Sequence, residues 1–214
     1  FDCGIDRLIE LAMDESQEEV TLVSIGPLPS LAEALRREPR IAPRLHFVGM
    51  FGSINSSHDG RPYPVAEYNV RLAIKACQEV FAAPWKSITI TPLDTCGRIR
   101  LSGELYQRIV SSDKPLLQAL IDSYRAWLKF GNAQEDGRSS ILFDTVAIHL
   151  AYSHRFLQLE ELKIAVRDDG FTVVDNDHGH PMLVATAWSD LPGYQKCLTD
   201  LLCRKGEENE SPCR

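Results

Sequence analysis

Leu45-His46-Phe47-Val48-Gly49-Met50 runs as an apolar, β-type segment into a loop rich in Gly, Ser and Asn. That loop closes on Pro64-Val65-Ala66-Glu67-Tyr68-Asn69-Val70. Glu67 and Asn69 are spaced i, i+2, and in an extended segment that spacing points both side chains to one side. A carboxylate beside an amide suits vicinal hydroxyls, because both groups accept hydrogen bonds and the amide can also donate. The same residues equally suit a capped turn leading into a helix that starts near Arg71.

Outward from this stretch the pattern alternates. Toward the N-terminus, Glu19-Val20-Thr21-Leu22-Val23-Ser24-Ile25 is a β-branched strand stopped by Gly26-Pro27. A helical stripe (Ile5, Leu8, Ile9, Ala12, Met13) precedes it, and Pro29-Ser30 opens a helix with Leu31, Ala34 and Leu35 on one face. Pro39 and Pro43 break that helix before the strand at Leu45. Toward the C-terminus, a helix is expected over residues 70–81 and a strand at Ser87-Ile88-Thr89-Ile90-Thr91-Pro92-Leu93. The order α-β-α-β-α-β predicts a layered α/β sandwich with a mostly parallel sheet flanked by helices.

Beyond residue 93 the reading gives helices from Ser102 to Ile109, from Pro115 to Lys129, over residues 141–152 and over residues 191–203. Strands are expected at residues 162–166, 172–175 and 181–187. Residues 1–205 read as one domain and residues 206–214 as a flexible polar tail.

Bulk properties narrow the function. The chain has 214 residues, 44% of them hydrophobic and 25% charged, with a formal net charge of -7 and no Lys/Arg run. An acidic surface argues against nucleic acid as a partner. No apolar run reaches the length of a membrane span, and no signal-peptide pattern opens the chain. Six cysteines without CxxC spacing read as reduced thiols, which points to the cytoplasm.

In an α/β sheet, ligands sit at the loops after strands. Three such loops carry chemistry: Ile25-Gly26-Pro27-Leu28, residues 50–69, and Leu93-Asp94-Thr95-Cys96-Gly97. Asp144, early in an apolar helix, is a fourth candidate, although an acid there also serves as a helix-dipole partner. Asp175-Asn176-Asp177-His178-Gly179-His180 has metal-ligand residue types but reads as an exposed hairpin turn. His149 reads as a hydrogen-bonded core residue, Cys96 as a buried small hydrophobe, and Trp85, Trp127 and Trp188 as core or interface residues.

Taken together, these segments resemble the inosine–uridine preferring nucleoside hydrolases. Ile25-Gly26-Pro27-Leu28 matches the start of the family's GPLTN segment. Met50-Phe51-Gly52 occupies its MGG strand end, and Pro64-Val65-Ala66-Glu67-Tyr68-Asn69 its PxAEFN element. Pro92-Leu93-Asp94, Asp144-Thr145-Val146-Ala147 and Gly170-Phe171-Thr172-Val173-Val174-Asp175 match later motifs in family order.

The resemblance implies hydrolysis of the N-glycosidic bond of ribonucleosides, with a calcium ion and an aspartate base. By position, Glu67 and Asn69 would bind ribose hydroxyls and Met50 would line the sugar pocket. Asp144 and the backbone carbonyl of Ile25 would be metal ligands. It also implies a riboside partner, a homo-oligomer or pairing with an N-terminal portion, and a fold lacking the family's N-terminal strands.

The departures are equally specific. The family's N-terminal DxDPGxDD cluster, which supplies the general base and most calcium carboxylates, is absent. One aspartate and one carbonyl do not make a six- to eight-oxygen calcium site. The family's histidine before the calcium-binding aspartate is Phe143, and the Asn of the loop before AEFN falls on Arg61. The alternative reading is a non-catalytic homologue serving as a ligand-binding or assembly scaffold.

Overall fold

The computed structural model describes residues 3–204; the expected tail at 206–214 lies outside them. Among the described residues six strands form one sheet: β1 (Val20–Ser24), β2 (Leu45–Met50), β3 (Ser87–Thr91), β4 (Leu157–Val166), β5 (Thr172–Val174) and β6 (His180–Trp188). Their spatial order is β1-β2-β3-β6-β4-β5. β1, β2, β3 and β6 pair in parallel, while β4 runs antiparallel to β6 and β5. The sheet is therefore mostly parallel with a mixed edge, as the alternating pattern predicts.

Helices cover both faces. They are α1 (Gly4–Met13), α2 (Pro29–Arg37), α3 (Tyr68–Leu72), α4 (Ile74–Ala82), α5 (Leu93–Cys96), α6 (Gly103–Val110), α7 (Pro115–Phe130), α8 (Asp144–Leu150) and α9 (Leu191–Cys203). Parallel strands buried on both sides carry near-continuous apolar runs, and β2 shows this, with Leu45, Phe47, Val48 and Met50 all buried. On one face Phe47, Phe51, Phe81 and Ile90 form a core with Leu28 and Leu31. On the other, Val48 and Met50 pack with Val146, Ala147 and Leu150 of α8. α8 is thus held across the C-terminal half of β2 by apolar burial, which places its first residue, Asp144, at the strand ends.

Four local readings change. The helix expected over 70–81 is two helices, broken at Ala73 (φ −149°, ψ 53°). No Pro or Gly marks the break; the turn at Gly170 packs there, with the Arg71 Cα and Ile74 Cδ1 about 3.5 Å from where a Gly170 Cβ would lie. The helix expected over 141–152 begins only at Asp144, because Leu142 donates its N–H to the Ile99 carbonyl at 2.9 Å. β4 starts five residues earlier than expected, at Leu157, its polar residues standing on an exposed, antiparallel stretch where strands need not be apolar throughout. Residues 93–96, expected as loop, form the one-turn α5.

Side chains outside the site follow their plainer readings, with one exception. Asp175 accepts the N–H groups of Asp177 and His178, making the turn that its Asn/Asp/Gly context implies. His149 is buried, hydrogen-bonded to the Arg155 carbonyl at 2.9 Å, and burial pushes its pKa down. Trp85 and Trp188 pack against the core; Trp127, 61% exposed on α7, is not a core residue, which leaves the interface part of its reading. Cys3, Cys77, Cys96 and Cys203 are free thiols, whereas Cys197 is disulfide-bonded, so the expectation of reduced thiols fails at that position.

Candidate active site

The loops after β1, β2 and β3 converge with the start of α8 around a cleft of about 490 Å³. Ile25, Met50, Glu67, Asn69, Phe143 and Asp144 all line it. Residues from four separate segments of chain therefore meet at the C-terminal edge of the parallel strands, where open α/β sheets place ligands.

Glu67 is the N-cap of α3. Its Oε1 accepts the Asn69 N–H at 2.9 Å, and its Oε2 accepts those of Val70 at 3.2 Å and Gly52 at 3.3 Å. The capping reading of this residue holds, and the same side chain also lines the cleft. A carboxylate has about four acceptor directions; with these three used, the remaining one lies on Oε1. Burial raises the Glu67 pKa above the ordinary Glu value, partly opposed by those three backbone donors and reinforced by the Asp144 charge.

Asn69 sits in the first turn of α3, not in extended backbone, so the two side chains do not share a side through strand alternation. They meet because the cap folds Glu67 back over the helix start. The Asn69 Nδ2 donates to the Met50 carbonyl at 3.1 Å and lies 3.4 Å from its sulfur. That amide's donor capacity is committed to β2, and Asn69 offers the cleft its Oδ1 as an acceptor.

Asp144 takes the first position of α8. It makes no hydrogen bond or ion pair with the described residues, and desolvation raises its pKa. Ile25, one residue past β1, is 43% exposed and borders the same cleft. Among the described residues no group of three or more His, Cys, Asp or Glu side chains comes together to hold a metal. Glu67 is saturated by backbone donors on its inner side, so the oxygen donors of Asp144 and Ile25 do not by themselves fill a calcium shell of six to eight.

The loop between β2 and α3 is fastened from outside. Asp94, in the first turn of α5, accepts the successive N–H groups of Ile54, Asn55 and Ser56 at 2.9, 2.8 and 3.2 Å. Ser53 is clasped by the hydroxyl of Thr172. Gly52 (φ +88°) needs glycine, since a Cβ would lie 2.6 Å from that hydroxyl. Asp94 reads in the sequence as a loop residue near the pocket; its place is behind the loop, as its anchor.

Sequence reasoning missed His58 and Arg71, which also line the cleft. Nothing local marks them, because His58 reaches the site through a long irregular loop and Arg71 through the second turn of α3. Arg61, which stands where the family has an Asn, is exposed and does not line the cleft. Cys96 is fully buried, and burial pushes its thiol pKa far up, which rules out a reactive thiolate.

Comparison with known proteins bears on this arrangement. The family model for inosine-uridine preferring nucleoside hydrolase matches residues 2–197. The inosine-uridine preferring nucleoside hydrolase of Crithidia fasciculata is 24% identical over 167 residues, covering 78% of this chain and 52% of its own length. The non-specific ribonucleoside hydrolase RihC of Escherichia coli is 28% identical over 211 residues, covering 93% of this chain and 66% of its own. This chain thus spans about half to two-thirds of those relatives. The solved purine-preferring ribonucleoside hydrolase of Gardnerella vaginalis superposes with a TM-score of 0.77 at 19% identity, over 94% of this chain and 65% of that one, a likeness of fold. With the strand order, the cleft at the strand ends and a family match along nearly the whole chain in agreement, the protein belongs to the inosine-uridine preferring nucleoside hydrolase family.

Proposed function

We propose that the cleft binds the ribose of a ribonucleoside and that the protein hydrolyses its N-glycosidic bond to ribose and free base. The observation that carries this is the convergence of Glu67, Asn69, Met50, Asp144 and Ile25 on one cleft. In this reading the open acceptor direction on Glu67 and the Asn69 Oδ1 take the donor protons of sugar hydroxyls, while Met50 forms the apolar floor. Asp144 and the Ile25 carbonyl are the chain's share of a calcium site, which in the bound state would hold the sugar's hydroxyls and the attacking water. Those two donors do not complete that shell. The reading also takes in a cytoplasmic location, a homo-oligomer or assembly with an N-terminal portion, and no nucleic-acid or membrane partner.

A second reading, a ligand-binding or assembly scaffold without turnover, is favoured by one observation: the described residues bring no third metal-ligating side chain to Asp144. Ribose release from inosine and uridine, with and without calcium, separates the two. Release that falls sharply in Glu67→Ala supports the hydrolase; release unchanged in that variant removes this cleft from the reaction. Ribose binding without release supports the scaffold.

A further inference from the structure

The departing nitrogen of an N-glycoside leaves with the bonding electron pair and is a poor leaving group unless it receives a proton. Phe143, in the wall of the cleft, has none to give. Of the polar side chains that line the cleft, five are unsuited. Glu67 accepts backbone N–H groups on both oxygens. Asp144 is the carboxylate that the ribonucleoside hydrolase reading gives to the metal as an oxygen donor. Arg71 does not surrender its proton, and Tyr68 is 61% exposed. Asn69 is an amide. His58 is left, and imidazole is the side chain chemically fitted to hold and give up a proton near neutrality.

The structure treats His58 as a fixed position with a free ring. Asp59 donates its N–H to the Gly97 carbonyl at 3.0 Å, and its carboxylate pairs with Arg100 at 3.3 Å. Ser57 donates its N–H to the Arg61 carbonyl at 3.0 Å, and Asp59 is held at φ +60°, a conformation uncommon for a non-glycine residue. Gly97 admits this turn because a Cβ there would come within 3.0 Å of the His58 Cα. The backbone on either side of His58 is thus pinned to α5 and the segment after it. Its imidazole, half-buried in the cleft wall, hydrogen-bonds to none of the described residues.

We propose that His58 faces the base of the bound ribonucleoside and protonates it as it departs. This rests on the ribonucleoside hydrolase reading. In the step, the sugar carbon–nitrogen bond breaks and its electron pair stays on the base nitrogen, which takes a proton from the imidazolium. The oxygen of a water molecule bonds to the anomeric carbon, and the proton that the water sheds passes to solvent and restores the imidazolium.

The test uses the full chain in calcium-containing buffer. Imidazole NMR resonances are followed on adding inosine or ribose, and hydrolysis of inosine is compared with that of 4-nitrophenyl riboside, whose leaving group needs no proton. Inosine should shift the His58 ring signal and ribose should not. His58→Gln should lower kcat on inosine by about 100-fold or more and on the nitrophenyl substrate by no more than about threefold. A His58 signal unmoved while backbone signals at Glu67 and Asn69 respond, or equal losses on the two substrates, overturns the role of His58 and leaves the hydrolase reading standing. Failure of the wild-type chain to bind either ligand, or binding without cleavage of either substrate, overturns the hydrolase reading and the proton transfer with it.

Discussion

Thr172 and Ser53, 119 residues apart, exchange two hydrogen bonds through one hydroxyl: the Ser53 N–H donates to Thr172 Oγ1 at 2.9 Å, and that hydroxyl donates to the Ser53 carbonyl at 3.1 Å. Both residues are buried. This clasp ties the edge strand β5 to the loop that frames the cleft, so the far side of the sheet helps to shape the site. Thr172→Val keeps the volume and removes both bonds, stranding a buried donor and acceptor. A loss of about 1–3 kcal/mol is expected, read from urea denaturation as a lower midpoint with unchanged slope.

Asp94 holds the same loop by a different means, one carboxylate taking three successive backbone N–H groups. Asp94→Ala leaves those donors without their acceptor and should cost about 3 kcal/mol. Asp94→Asn, which keeps one acceptor oxygen, should cost less. Thermal unfolding of the two variants beside wild type checks the order.

Ribose affinity should depend on both acceptors. Asn69→Ala removes the Oδ1 acceptor and the strut to Met50, and a drop of about tenfold is expected, equivalent to about 1.4 kcal/mol. Glu67→Ala should lose at least as much affinity, and it also forfeits about 0.5–2 kcal/mol of stability as the N-cap of α3. Titration calorimetry with ribose and inosine measures the first effect and thermal unfolding the second.

Burial raises the Asp144 pKa above its reference value of 3.8. A carboxyl group whose pKa is higher in the folded than in the unfolded chain contributes stability below the unfolded value and loses it as pH rises through the folded one. Asp144→Asn cannot ionise. Its stability relative to wild type should therefore increase as pH climbs from 3.8 through the elevated pKa and then level off. Melting temperatures of both proteins across that range decide it; a constant difference would contradict the desolvated carboxylate.

Ligand removal gives a separate check on the metal. Anything that binds the folded chain alone raises its melting temperature by mass action. With Asp144 and the Ile25 carbonyl as the only donors assigned to it, this chain should melt at the same temperature in millimolar calcium and in EDTA. A rise with calcium would reveal further oxygen donors at the cleft.

Much of the architecture was legible locally. β2 announced itself as a run of apolar residues ending at Gly49-Met50, because a parallel strand buried on both faces has no polar side to show. Pro29 and Pro115 marked helix starts, where a missing N–H costs nothing. Glu67, Asn69, Met50, Asp144 and Ile25 were singled out from their places after strands or at a helix start, together with their likeness to family motifs, and they do share one cleft. Where signals were long-range, reading failed: the break at Ala73 and the late start of α8 are imposed by the Gly170 turn and the Ile99 carbonyl, not by the residues themselves.

The sequence by itself determined the alternation of strands and helices, and hence the mostly parallel sheet, since hydrophobic periodicity and Gly/Pro punctuation are local properties. It also determined which residues stand after each strand. Only the tertiary structure decided how they act: that Glu67 spends three acceptor directions on its own helix and loop, and that Asn69 is turned into an acceptor by Met50. It alone placed Asp94 behind the loop and His58 at its rim. Hydrogen-bond partners and charge neighbours depend on distances between segments far apart in the chain, and those distances exist only once the sheet has assembled.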